Sequence, residues 1–188
     1  MVFDVVQLLC DLVRIPSVNP MGREVSGDQY YEYAMTEKLE SLFQEMGLAY
    51  SVQEVEPSRT NILARLEGDP QAGVIVFEAH QDTVPVEGMT IEPWKPEVRD
   101  DRVFGRGACD IKGGMACMLT AFSRLANERP TGMPTIVMAC SVNEEYGYGG
   151  ATTMARNWAA GESPIMPSLP DAVVVAEPTL LDVVVAHK

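Results

Sequence analysis

Apolar and polar positions alternate along this chain with two different periods, and the switches between them mark its elements. From Val2 to Arg14, the residues Val5, Leu8, Leu9, Leu12 and Val13 recur at helical spacing, which predicts a helix with one apolar face. Ile15-Pro16-Ser17 ends it, because proline disfavours a helical conformation in the residue before it. A polar loop with Pro20, Gly22 and Gly27 follows. Asp28 is placed to cap a second helix, running through Tyr31, Ala34, Leu39 and Leu42 to Gly47. Then the period falls to two. Tyr50 to Val55 and Asn61 to Leu66 alternate as strands do. Gly73 to His80 is a short apolar run, the pattern of a strand buried on both faces.

Arg102 to Phe104 predicts another short strand, turned by Gly105 to Gly107. Lys112 to Arg129 carries Met115, Met118, Leu119, Phe122 and Leu125 at helical spacing, and its methionines fit best as core filler. Pro134 to Ser141 predicts a second buried strand and Gly149 to Trp158 a helix. Gly161 to Pro170, with three prolines, is expected as a surface loop. Asp171 to Ala176 and Leu181 to Ala186 are the last two expected strands.

The chemistry sits at the ends of these strands. His80 closes one apolar run, with Asp82 two residues on; Glu144-Glu145 follows another, and Glu177 a third. Asp110 comes after the glycine turn. Ligands of open α/β sheets gather at the carboxyl edge, so one edge can collect all of these residues. One imidazole with several carboxylates suits two divalent metal ions and a carboxylate base beside them. Each residue also has a plainer use. His80 alone reads equally well as a satisfied histidine at a strand end. Asp110 can cap the helix that follows it, and paired glutamates such as Glu144-Glu145 are usually a solvated surface. Residues 105–114 are neither a phosphate loop nor a dinucleotide fingerprint, since the lysine-serine ending and the glycine spacing are wrong.

Composition narrows the field. With 188 residues and 46% hydrophobic content, the chain can bury a full core. A net charge of −13 argues against nucleic acid and anionic membrane surfaces as partners. No apolar stretch approaches membrane-spanning length, and no basic segment leads into an apolar run at the N-terminus, so no secretory signal is expected. Cys10, Cys109, Cys117 and Cys140 have neither disulfide-framework nor zinc-knuckle spacing. Cys10, Cys117 and Cys140 fall within apolar patterns and are expected to be buried thiols, in a reducing cytoplasm.

Four motifs together resemble the N-terminal part of the co-catalytic zinc metallopeptidase and deacylase family, which includes acetylornithine deacetylase, succinyl-diaminopimelate desuccinylase, aminoacylase and glutamate carboxypeptidase. They are His80-Gln81-Asp82-Thr83-Val84-Pro85, Gly105 through Gly114, Glu144-Glu145 with Gly147 and Gly149-Gly150, and Ala176-Glu177-Pro178. The resemblance implies that His80 and Glu177 bind a first zinc or cobalt ion, Asp110 bridges it to a second, and Glu145 holds that second ion. Glu144 would be the general base and acid, and Asp82 would orient His80. The implied reaction is hydrolysis of the amide of an N-acyl amino acid; a carboxypeptidase or dipeptidase shares the same metal residues.

The expected fold is α/β, a mixed, largely parallel twisted sheet with helices on both faces. Residues 1–188 would form the N-terminal part of the catalytic domain. Family members continue into a lid domain, through which they form homodimers, and then into a return segment with a further histidine ligand. Neither is expected in this chain, so its second metal site lacks that histidine, and a catalytically silent metal-binding fragment is the rival expectation. His187 is expected to be structural.

Overall fold

The computed structural model describes residues 2–180 and 182–184. Among the described residues, four helices and seven strands are laid down in the order α1 (Val5–Val13), α2 (Tyr33–Glu45), β1 (Ala49–Glu56), β2 (Arg59–Leu66), β3 (Val74–His80), β4 (Glu97–Arg99), β5 (Arg102–Phe104), α3 (Lys112–Glu128), β6 (Thr135–Ser141), α4 (Gly149–Ala160) and β7 (Ala172–Val175). Five strands form one mixed sheet in the order β1-β2-β6-β3-β7. β2 runs against both β1 and β6, whereas β3 pairs in parallel with β6 and with β7. Four of the five strands therefore point the same way, and only β2 opposes them. β4 and β5 make a separate two-stranded hairpin. β4 has no apolar run to announce it, and all three of its residues are exposed.

Alternation along the central strands builds two cores. Ile62, Ala64 and Leu66 of β2 and Ile136, Met138 and Cys140 of β6 point to one face, where they meet Leu8, Leu12, Met35, Leu39, Phe43, Met115, Leu119 and Phe122 of α1, α2 and α3. Leu63, Val137, Ala139, Val74 and Val76 point to the other face and pack on Met154 of α4. This is the period-two geometry of a sheet covered on both sides. Burying so many apolar side chains, at roughly 1.5–3 kcal/mol each, is the main force holding the strand ends in register.

Several local expectations are corrected. Asp28 does not cap α2: the helix starts at Tyr33, and the residue at its cap position, Glu32, makes no capping hydrogen bond. Its carboxylate is bound to Arg59 instead. Cys117 is exposed rather than buried, because α3 turns Met115, Ala116 and Leu119 toward the sheet and Cys117 away from it. The proline-rich loop is not wholly superficial, since Ile165 is 5% exposed and belongs to the second core. Asp182, Val183 and Val184 are not in a strand; the rest of the expected strand Leu181 to Ala186, and His187, lie outside the described residues.

Candidate metal centre

The register of the parallel strands delivers the site. His80 is the last residue of β3 and pairs with Ser141, the last of β6. Glu144 and Glu145 follow β6 within four residues, in the turn before α4. β7 pairs with β3 up to Val175 opposite Glu78, so Glu177 stands two residues beyond the same edge. Asp110 arrives through the turn that links β5 to α3. Gly107 in that turn has φ of 76°, and a Cβ there would stand 2.8 Å from Thr83 Cγ2 and 3.2 Å from Lys112 Cδ. Only glycine fits that conformation and that space without strain.

His80, Asp110 and Glu177 each offer a ligand atom within 4.8 Å of the other two. His80 Nε2 is 3.1 Å from Asp110 Oδ1 and 3.9 Å from both Glu177 Oε1 and Glu144 Oε2. Ligands bound about 2.0–2.1 Å from zinc at tetrahedral angles stand roughly 3.3 Å apart. One imidazole and two carboxylates at this separation fit a single divalent ion and leave a position open. Asp110 is not a helix cap: Ile111 occupies the cap position of α3, and the Asp110 carboxylate is on His80.

The other ring nitrogen, His80 Nδ1, lies 2.9 Å from the backbone oxygen of Asp82 and 3.7 Å from its carboxylate. The expected orientation of His80 by Asp82 thus runs through the carbonyl, which is within hydrogen-bond range, and fixes the proton on Nδ1. The buried Asp82 carboxylate does something else. Oδ1 accepts from Glu144 N at 3.1 Å, and Oδ2 accepts from Glu145 N at 3.0 Å and Asn19 Nδ2 at 2.7 Å. It anchors the turn of the two glutamates. Glu145 faces a different neighbour, its Oε1 accepting from Val84 N at 3.1 Å, and it is not among the three converging donors.

Electrostatics follow from crowding carboxylates around one buried imidazole. Burial works against the His80 charge, but the hydrogen bond to Asp110 and the charges of Asp82 and Glu144 override it and raise its pKa to about 9. Asp110 is held below the usual carboxylate range by its bond to His80. Burial lifts Glu144 and Glu177 above that range, although the His80 charge pulls both down. Glu145 is pushed up to about 7, first by burial and then by its acidic neighbours. A divalent cation would offset this excess of negative charge, as a metal site requires.

Sequence reasoning missed the support beneath the site. Lys112 is fully buried, donates from Nζ to Ile15 O at 2.6 Å, and has its pKa lowered to about 7 by burial. It ties the start of α3 to the segment after α1. Asn19, Asn143, Glu32 and Arg59 are buried polar residues with no local signature. A lone Asn or Glu in a loop reads as solvated, and only the folded chain shows that each is enclosed.

A mixed α/β sheet with imidazole and carboxylates converging beyond its carboxyl edge is the class of arrangement that metal-dependent hydrolases use. Residues 76–187 match the profile of Peptidase family M20/M25/M40, and the chain belongs to that family. It is 34% identical over 154 residues to acetylornithine deacetylase of Vibrio campbellii, covering 81% of this chain and 38% of that protein. Against succinyl-diaminopimelate desuccinylase of Gluconacetobacter diazotrophicus the identity is 32% over 177 residues, with 90% and 41% covered. The chain thus spans about two fifths of the length of these relatives. The crystal structure of human carnosine dipeptidase 1 has the same fold, with a TM-score of 0.74 at 22% identity over 91% of this chain and 37% of that one.

Proposed function

We propose that this chain is the N-terminal part of the catalytic domain of a zinc- or cobalt-dependent hydrolase that cleaves the amide bond of N-acyl amino acids. The observation that carries the proposal is the convergence of His80, Asp110 and Glu177, with Glu144 3.9 Å from the same imidazole nitrogen. The names of the two curated relatives, a deacetylase and a desuccinylase, support the choice of substrate class.

In this reading His80, Asp110 and Glu177 hold the first ion, and Asp110 with Glu145 holds a second, weaker one. A bound dication would polarise the scissile carbonyl and favour deprotonation of the attacking water. Glu144 takes the water proton on its carboxylate and passes it to the leaving amine. Its raised pKa brings it nearer the range where one group can both accept and release a proton. Asp82 keeps Glu144 in place through its amide, and the Asp82 carbonyl keeps His80 oriented. A reducing cytoplasm is the proposed compartment, consistent with four free cysteines.

The test is metal content by elemental analysis together with an assay of the purified chain, with zinc or cobalt, on N-acetylornithine, N-succinyl-diaminopimelate and a dipeptide. We expect one tightly held ion, faster turnover of the acyl amino acids than of the dipeptide, and loss of at least a hundredfold in Glu144→Gln. Preferred dipeptide turnover would favour a peptidase instead. One specific observation favours a second reading: among the described residues Glu145 lies outside the converging donors. One bound ion without turnover would therefore mark a catalytically silent metal-binding fragment.

A further inference from the structure

We propose that Glu32, held by Arg59, is a positioning residue for the turn that carries Glu144 and Glu145, so that an ion pair away from the metal donors sets where both glutamates stand. Three consecutive amides of that turn each donate to a buried carboxylate. Asn143 N donates to Glu32 Oε1 at 3.2 Å, Glu144 N to Asp82 Oδ1 at 3.1 Å, and Glu145 N to Asp82 Oδ2 at 3.0 Å. Asn143 has φ of 58°, in the left-handed region that asparagine tolerates better than most residues. Successive amides around such a residue can point to one side and form a concave anion receptor. Here the anions are the protein's own carboxylates.

Glu32 is 0% and Arg59 3% exposed. Arg59 Nε donates to Glu32 Oε2 at 2.9 Å, and Nη2 donates to Oε1. The guanidinium fork thus fixes the carboxylate plane and leaves Oε1 able to accept from Asn143 as well. Asn19 links the Asp82 carboxylate to the side chain of Asn143, whose amide is held by Glu32. Its Nδ2 lies 2.7 Å from Asp82 Oδ2 and 3.0 Å from Asn143 Oδ1, and its Oδ1 accepts from Met21 N at 2.8 Å. A continuous buried path therefore runs from Arg59 at the start of β2, through Glu32 before α2, Asn143 and Asn19, to Asp82 just beyond β3. Net stability is a poor reason for such a pair, because apolar residues of similar volume often serve as well or better. A fixed acceptor beneath a turn with one required geometry is a better reason.

That Glu144 and Glu145 are the working glutamates rests on the hydrolase reading; the hydrogen bonding of the turn does not. The test therefore reads the turn itself, by amide hydrogen exchange on the metal-free chain. In the double variant Glu32→Leu/Arg59→Met the pair is replaced by apolar side chains, so global stability is kept while Asn143 N loses its acceptor. We expect the amides of Asn143, Glu144 and Glu145 to exchange at least tenfold faster. The amides of Val142, bonded to Asn61 Oδ1, and Gly150, bonded to Val142 O, should keep their wild-type rates. Glu32→Gln, which keeps an oxygen acceptor but not its charge, should give a smaller rise confined to the same three amides, and serves if the double variant does not fold. Wild-type protection at residues 143–145 in a stable variant would overturn the proposal. So would a rise shared equally by Val142 and Gly150, which would mark the pair as a general brace.

Discussion

At the scale of single residues, pH acts directly on His80. Its pKa of about 9 in the metal-free fold lies above the ordinary value of 6.5, so its charge stabilises the folded state. A raised folded pKa means that this contribution is complete below pH 6.5 and fades as pH rises through about 9. A metal needs the neutral ring, so metal binding must displace that proton. Opposite trends are expected over this window. Zinc affinity, measured by competition with a chelator, should climb between pH 6.5 and 9, while the part of metal-free stability owed to His80 declines. In His80→Ala the climb should flatten. A wild-type affinity independent of pH across this range would mean that the imidazole is not charged beside Asp110.

At the scale of elements, the close approach of α3 to the segment after β7 holds Glu177 in place. A Cβ on Gly114 would stand 2.6 Å from Ala176 O and 2.7 Å from Ala176 Cβ. Helix propensity alone favours alanine over glycine by about 1 kcal/mol in a helix interior. Here a backbone oxygen blocks the space, and overpacking of this kind costs about 1–3 kcal/mol, so the clash wins. Gly114→Ala is expected to lower stability in urea unfolding, and to weaken zinc binding by about tenfold as Ala176 and Glu177 are pushed outward. A stabilised variant with unchanged zinc affinity would show that the helix and the Glu177 segment are not so tightly opposed.

For the whole molecule, the sheet is unevenly covered. β6 is buried at every residue, whereas β7 is exposed along its whole length, with Val173, Val174 and Val175 at 46%, 48% and 51%. β7 is hydrogen-bonded to β3 on one side and is the last strand of the sheet among the described residues. A run of exposed valines on an edge strand is a template for pairing with another chain. The purified chain should therefore associate as concentration rises in sedimentation experiments, and Val174→Lys should shift it toward monomer. A wild-type chain that stays monomeric at high concentration would show that this edge is not adhesive.

Local physics determined much of this protein before any folding was known. Periodicity placed α1, α3 and the buried strands β3 and β6 to within a few residues, because long apolar patterns have few alternative solutions. Placing His80, the two glutamates and Glu177 at strand ends followed from those same patterns. What lay beyond reach depended on partners distant in sequence. Asp28 looked like a cap, yet α2 starts at Tyr33 and the carboxylate at its cap position binds Arg59. Cys117 looked buried until the packing of α3 turned it outward. The separate tasks of the Asp82 carbonyl and carboxylate, and the cradle of Asn19, Glu32 and Arg59 beneath Asn143, are absent from any local pattern. The sequence by itself determines which side chains reach the ends of strands, since that needs only burial and backbone geometry. Which of them meet, and which polar groups are enclosed to hold them there, is decided only when the tertiary structure removes water and leaves each buried donor to find its acceptor.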